Sequence, residues 1–146
     1  MEMEFHLQIY NFCFQIFPCM YSLSKSERLS SKTLLEELIK SELSFVKYPF
    51  RVVLKASSLP GEYPARIAIS VSKKKFKRAV KRNRVKRLVR EAYRLNKPEF
   101  YKQIPSGYTV DILFIYLDQN LPVYLKIEKA IKSALQKIPT YFPAET

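Results

Sequence analysis

Glycine is nearly absent: Gly61 and Gly107 are the only two in 146 residues. A loop that cradles nucleotide phosphates on successive backbone N–H groups needs several glycines where chain and ligand approach closely, so this sequence has no such loop. Histidine occurs once, as His6, and tryptophan not at all. One histidine cannot supply a pair of acid–base imidazoles. Aspartate stands only at Asp111 and Asp118 and the glutamates are dispersed, whereas a metal-dependent nuclease needs converging carboxylates to hold its ions. The two cysteines, Cys13 and Cys19, are six positions apart. They make a poor disulfide framework and half a metal site at best, which points to a reducing, cytoplasmic setting. No apolar run reaches the ~18–20 residues needed to span a bilayer. The expectation is therefore no catalytic residue, no metal site and no cofactor held by the protein alone.

What is abundant is positive charge. The chain carries 26 Lys and Arg against 13 Asp and Glu, a formal net charge of +13. The excess is local. Between Lys73 and Arg94 stand 12 basic residues and one acid, Glu91, while the rest of the chain carries 14 basic against 12 acidic residues. Solubility alone does not call for such clustering. A polyanionic partner does, either nucleic acid or an anionic membrane surface. With 47% hydrophobic residues the chain can also bury a core, so a folded domain is expected rather than a charged tail.

Periodicity gives the order of elements. Residues 1–21 are apolar and aromatic, are interrupted by Pro18, and begin with Glu2 and Glu4 rather than with the basic residues of a secretory signal. They read as an extension, disordered or translated from a start upstream of Met20, ahead of a domain over 22–138 and a short tail over 139–146. Ser30 and Ser31 can cap a helix running to about Leu43, with Leu34, Leu35, Leu38 and Ile39 as its apolar stripe. Phe50–Ala56 reads as a strand with Phe50, Val52 and Leu54 on one face. A turn at Pro60, Gly61 and Pro64 follows, then a strand over Ala65–Ser72 with Ile67, Ile69 and Val71 inward. A helix from about Arg78 to Leu95 is stopped by Asn96 and Pro98. Tyr108–Leu117 is apolar enough for a strand buried on both faces. Pro122 opens a last helix to Ile138, with Ile127, Ile131, Ala134, Leu135 and Ile138 on one side. Helix, two strands, helix, strand, helix makes a two-layer α/β (α+β) sandwich.

At about 100° per residue, Val85, Leu88, Val89 and Ala92 of the central helix share one side and can pack on the sheet. Asn83, Arg87, Arg90 and Arg94 fall in a stripe on the opposite side, flanked by Arg84 and Lys86. A guanidinium suits a phosphate because its planar fork donates two parallel hydrogen bonds. The apolar side offers Val, Leu and Ala rather than the large anchors of a membrane-surface helix, so no membrane partner is expected. An RNA binder without an active site of its own is the reading this supports. A structural RNA-binding protein of ribosomal or assembly type is a second, and a protein nuclease a distant third.

The run Ser70-Val-Ser-Lys-Lys74, then Ala79-Val80, then Arg82-Asn-Arg-Val-Lys-Arg-Leu-Val-Arg90-Glu-Ala-Tyr-Arg94 closely resembles the signature of the bacterial ribonuclease P protein component, and its Arg-Asn-Arg part is specific to that family. Ser26-Glu-Arg-Leu29 resembles the family's lead-in, and Tyr108–Phe114 its late strand. The resemblance implies a left-handed βαβ crossover from Ala65–Ser72 through the basic helix to Tyr108–Leu117. It implies a catalytic RNA partner whose Mg2+ ions perform the removal of the 5′ leader from precursor tRNA. By the same resemblance Lys73, Lys74, Lys75, Arg82, Asn83, Arg84, Lys86, Arg87, Arg90 and Arg94 contact RNA, and a leader cleft between the first helix and the sheet is lined by Leu35, Ile39, Phe50, Val52 and Leu54. Leu35 and Ile39 stand where the family carries two aromatics, and no glycine occurs between Lys75 and Lys81.

Overall fold

Two short strands around a cis Tyr48–Pro49 bond open the sheet: β1 (Ser44–Lys47) and β2 (Phe50–Ser57) pair antiparallel. The computed structural model describes residues 22–57, 63–105 and 107–142; the expected extension over 1–21 lies outside them. β3 (Ala65–Val71) and β4 (Thr109–Tyr116) complete a four-stranded sheet in the order β1-β2-β4-β3. β2 runs antiparallel and β3 parallel to β4. The helix between the parallel pair, α2 (Ala79–Gln103), makes the βαβ crossover. β4, second from the edge, is buried along nearly its whole length, as its apolar run predicts. Gly107, at φ +85°, occupies the left-handed region in the turn that leads into β4.

Side-chain alternation decides which helix covers which face. Phe50, Val52, Leu54, Ile67, Ile112 and Phe114 point to one side. There they meet Val85, Val89 and Ala92 of α2 and Ile127, Ile131, Ala134 and Leu135 of α3 (Tyr124–Lys137). The intervening positions Val53 and Leu113 point the other way, against Leu34, Leu35 and Leu38 of α1 (Lys32–Ile39).

Three boundaries differ from the sequence reading, each for a tertiary reason. α1 stops at Ile39 instead of Leu43 because the next residues are drawn into the sheet: Ser41 Oγ donates to Leu54 O at 2.6 Å and Leu54 N to Leu43 O at 2.9 Å. That leaves Ser44–Lys47 to form β1, a strand the sequence reading missed. α2 runs through Asn96 and Pro98 to Gln103. Proline in a helix interior costs about 3 kcal/mol through its lost N–H bond and ring clash. Packing offsets this, since Lys97, Pro98 and Phe100 are all buried. The expected tail at Pro139 is packed as far as Phe142: Ile138–Tyr141 form a 3-10 turn, Tyr141 stacks on Phe45 and Phe142 meets Tyr108 edge-on.

The segment before α1 holds the sheet's open edge. Leu29 N donates to Ile67 O at 2.7 Å, and Arg28 bridges Ile67 in parallel sense along the outer side of β3. The 3-10 turn Lys25–Glu27 turns Glu27 inward, where it is fully buried with Lys97. Lys97 Nζ lies 2.6 Å from Glu27 Oε1 and also donates to Ser22 O. Tyr101 Oη donates to Glu27 Oε1 at 2.7 Å, Ser24 N to Oε2 at 2.7 Å, and Tyr93 Oη to Tyr101 Oη at 3.3 Å. Burial works against the charged carboxylate, but the hydrogen bonds from Lys97, Tyr101 and Ser24 outweigh it and hold the Glu27 carboxyl below its ordinary value.

Candidate nucleic-acid interface

α2 begins against elementary helix electrostatics. Its N-cap position is Arg78, with no side-chain cap, and its first turn contains no acid. Cations at a helix N-terminus oppose the macrodipole by about 0.3–1 kcal/mol each. Here Lys77, Arg78, Lys81 and Arg84 crowd that end, all exposed. Local rules broken without an internal compensation are expected where a partner supplies the missing charge.

The ten residues expected to contact RNA do not play one part. Lys73, Lys74, Asn83, Arg84 and Arg87 are exposed, so their polar groups reach solvent on the α2 side of the molecule. Lys86 and Arg90 are half-buried. Burial first, then the charges of Arg28 and Arg87, hold the Arg90 guanidinium below its ordinary value. Arg94 lies 2.6 Å from Glu91 in an i,i+3 pair, which engages part of its fork. Lys75 donates to Leu117 O and so ties the loop before α2 to the end of β4. Arg82 turns back on the same loop, donating to Phe76 O at 2.7 Å and Lys77 O at 2.9 Å. Lys75 and Arg82 thus position the basic surface through backbone carbonyls.

Arg82→Ala should accordingly lower stability by about 1–2 kcal/mol, the scale of hydrogen bonds from a charged donor at a half-buried site. Arg82→Lys should restore less than half of that, because an ammonium on a flexible stem does not reproduce the fork. Urea unfolding measures both. A midpoint unchanged in Arg82→Ala would mean that these two bonds contribute nothing to the fold.

The five residues assigned to a leader cleft are not brought together. Phe50, Val52 and Leu54 are sealed in the core under α2 and α3, with at most 2% of their surface exposed. Leu35 packs on the opposite face of the sheet, and Ile39 stands 64% exposed at the end of α1. The error is one of strand parity: α1 faces the odd-numbered positions of β2. On that face one row stays largely open beyond α1. It runs through Val46, Arg51, Ile115 and Ser70 in register across all four strands, with Val46, Arg51 and Ser70 exposed and Ile115 half-buried.

Sequence reasoning also missed Lys77, Arg78 and Lys81, which stand inside the basic run but outside the helical stripe chosen. Arg28 carried no local signal; only the tertiary fold brings its charge to Arg90. Among the described residues, no three of His, Cys, Asp and Glu group where they could hold a metal ion. None of the described helices is long and apolar enough to cross a membrane.

Fold and site define a small α+β protein built around one strongly basic helix. The family model for ribonuclease P matches residues 23–139. The ribonuclease P protein component of Porphyromonas gingivalis is 39% identical over 128 residues, covering 87% of this chain and 93% of that one. That of Clostridioides difficile is 46% identical over 74 residues, 50% of this chain and 60% of that one. Among solved structures, the Staphylococcus aureus RNase P protein superposes with a TM-score of 0.59 at 25% identity, covering 82% of this chain and all of that one. The Thermotoga maritima RNase P protein gives 0.59 at 26% identity, over 76% and 96%. The chain belongs to the ribonuclease P protein family.

Proposed function

We propose that this protein works in the cytoplasm as the protein component of ribonuclease P, binding the catalytic RNA and the 5′ leader of precursor tRNA. The observation that carries the reading is the uncapped, acid-free start of α2 with its exposed cations, on a chain of this family. RNA phosphates would satisfy both the side chains and the helix end. The chemistry in this reading belongs to the RNA, which holds the Mg2+ ions and cuts the leader bond. Two aspartates, one histidine and dispersed glutamates, with no three such groups brought together among the described residues, support that division, since metal-dependent cleavage needs converging carboxylates. The open row Val46, Arg51, Ile115 and Ser70 is the surface proposed for the leader. It offers an apolar floor for bases and a guanidinium for phosphate.

Reconstitution tests this. Protein mixed with its cognate catalytic RNA at low magnesium should release the leader from precursor tRNA, and should favour that substrate over mature tRNA in binding. Protein without RNA should leave the substrate intact. Cleavage by RNA-free protein that survives a nuclease-contaminant control would overturn the division of labour.

A further inference from the structure

Tyr48 stands in the two-residue turn between β1 and β2, away from the basic helix, and is 62% exposed. An exposed side chain ordinarily hops between rotamers on a fast timescale. This one is held. Lys126 Nζ, from the first turn of α3, lies over its ring at 5.1 Å from the centroid. The same ammonium is 3.3 Å from Asp118 Oδ2, and Asp118 is also the hydrogen-bond partner of the Tyr48 hydroxyl. Asp118 Oδ1 in turn accepts from Gln119 N at 2.7 Å and from Asn120 N at 3.2 Å. The carboxylate is thus committed on both oxygens. The tyrosine is fixed at its ring and at its hydroxyl while most of its surface stays open.

The turn also sits beside cations. Phe50 of β2 and Val71 of β3 both pair with Tyr116 of β4. Just beyond that rung two segments converge on Leu117: its N–H donates to Pro49 O at 2.8 Å, and its carbonyl accepts from Lys75 Nζ. One end of the sheet therefore carries Tyr48 before β2 and the exposed Lys73 and Lys74 after β3, on either side of β4. Two strand spacings separate those backbones by roughly 10 Å, within reach of neighbouring nucleotides of one extended strand. We propose that Tyr48 is a stacking platform for one unpaired nucleobase of RNA, with Lys73 and Lys74 taking the phosphates beside it. This rests on the reading above that the protein binds RNA. Aromatic faces beside cations hold single strands with little regard to sequence, because every base has a π-face. The ring is neutral, so it adds affinity without adding to the salt dependence. The base belongs either to the catalytic RNA or to precursor tRNA, and the test separates them.

The chain contains no tryptophan, so a full-length Tyr48→Trp variant carries one indole whose emission reports on this position alone. Catalytic RNA is added first, and precursor tRNA is then added to the assembled holoenzyme. Quenching at the first addition places the base on the catalytic RNA; quenching only at the second places it on the substrate. Tyr48→Ala should weaken binding of that same RNA roughly five- to tenfold, the low end of what one stacked base contributes, with the log–log salt slope unchanged. Tyr48→Phe keeps the ring and should stay within about twofold of wild type. Circular dichroism establishes that each variant is folded, and the Tyr48→Trp arm decides alone if Tyr48→Ala is not. A loss in Tyr48→Ala accompanied by a lower slope would mean a phosphate contact through Lys126 and would overturn the platform. Indole emission that neither RNA changes would overturn it too, while leaving RNA binding by the protein intact. Wild type that binds no catalytic RNA would overturn both.

Discussion

Lys97→Met is expected to destabilise the fold by about 3–5 kcal/mol, the scale for breaking a buried ion pair from one side. Methionine keeps most of the aliphatic volume, so the loss is electrostatic. Glu27 remains buried with its negative charge uncompensated, and Tyr101 and Ser24 N alone hold it. For a domain of this size the thermal midpoint should fall by roughly 10–20 °C. Acid dependence gives a second signature. In the wild type the Glu27 carboxyl is held below its ordinary value of 4.5. It then binds protons more weakly folded than unfolded, so its stabilising contribution is complete above that value and is lost as pH falls through the lower folded value. In Lys97→Met burial dominates and pushes the carboxyl up, so mild acidification should narrow the gap to wild type. Urea midpoints at neutral pH and near pH ~4.5 check this. A neutral-pH loss below about 1 kcal/mol would show that the pair contributes no more than an exposed one.

The second large effect concerns binding. Replacing Arg87 and Arg90 together with Gln should weaken association with the catalytic RNA by roughly 50-fold near ~0.1 M salt, and lower the log–log salt slope by nearly two. Both side chains stand clear of internal ion pairs among the described residues, so the charge is removed without dismantling the core. An intact slope in a folded double variant would mean that this stripe faces solvent in the complex. By contrast, Arg94→Gln should cost less than either single change, because Glu91 already holds its fork at 2.6 Å.

What the sequence made legible is what repeats locally. The apolar seam Val85, Val89 and Ala92, the double-sided burial of β4 and the inward set on α3 follow from periods of 3.6 and 2, and each stands where the pattern put it. The failures lie where distant residues overrule local preference. Pro98 reads as a helix stop, and the helix continues through the burial of Lys97, Pro98 and Phe100 and the contacts of Lys97 and Tyr101 with Glu27, some 70 positions earlier. Ser44–Lys47 is too short to alternate visibly and becomes a strand because β2 offers it an edge. The expected cleft and the face that α1 covers differ by a single residue of strand parity. Phe50, Val52 and Leu54 do share a face, as their alternation predicts, but periodicity does not say which face the first helix covers. Arg28 shows the same limit for the binding surface, since nothing near it in sequence points to Arg90.

The clasp between the lead-in and the far half of α2 also sets an order of events as the chain leaves the ribosome. β3 has one partner in the sheet, β4, and its other side is covered by the bridge at Arg28. Segment 22–29 is synthesised long before its partners, yet Glu27 has no Lys97 to pair with until that residue emerges, and β3 has no partner strand until residues 109–116 follow. A nascent chain cut short before Lys97 therefore displays an Ile- and Val-rich strand with its β4 side bare, and an acid without its lysine. The edge that pairs with β4 is closed late, so incomplete chains are the species of this protein most prone to pair with one another.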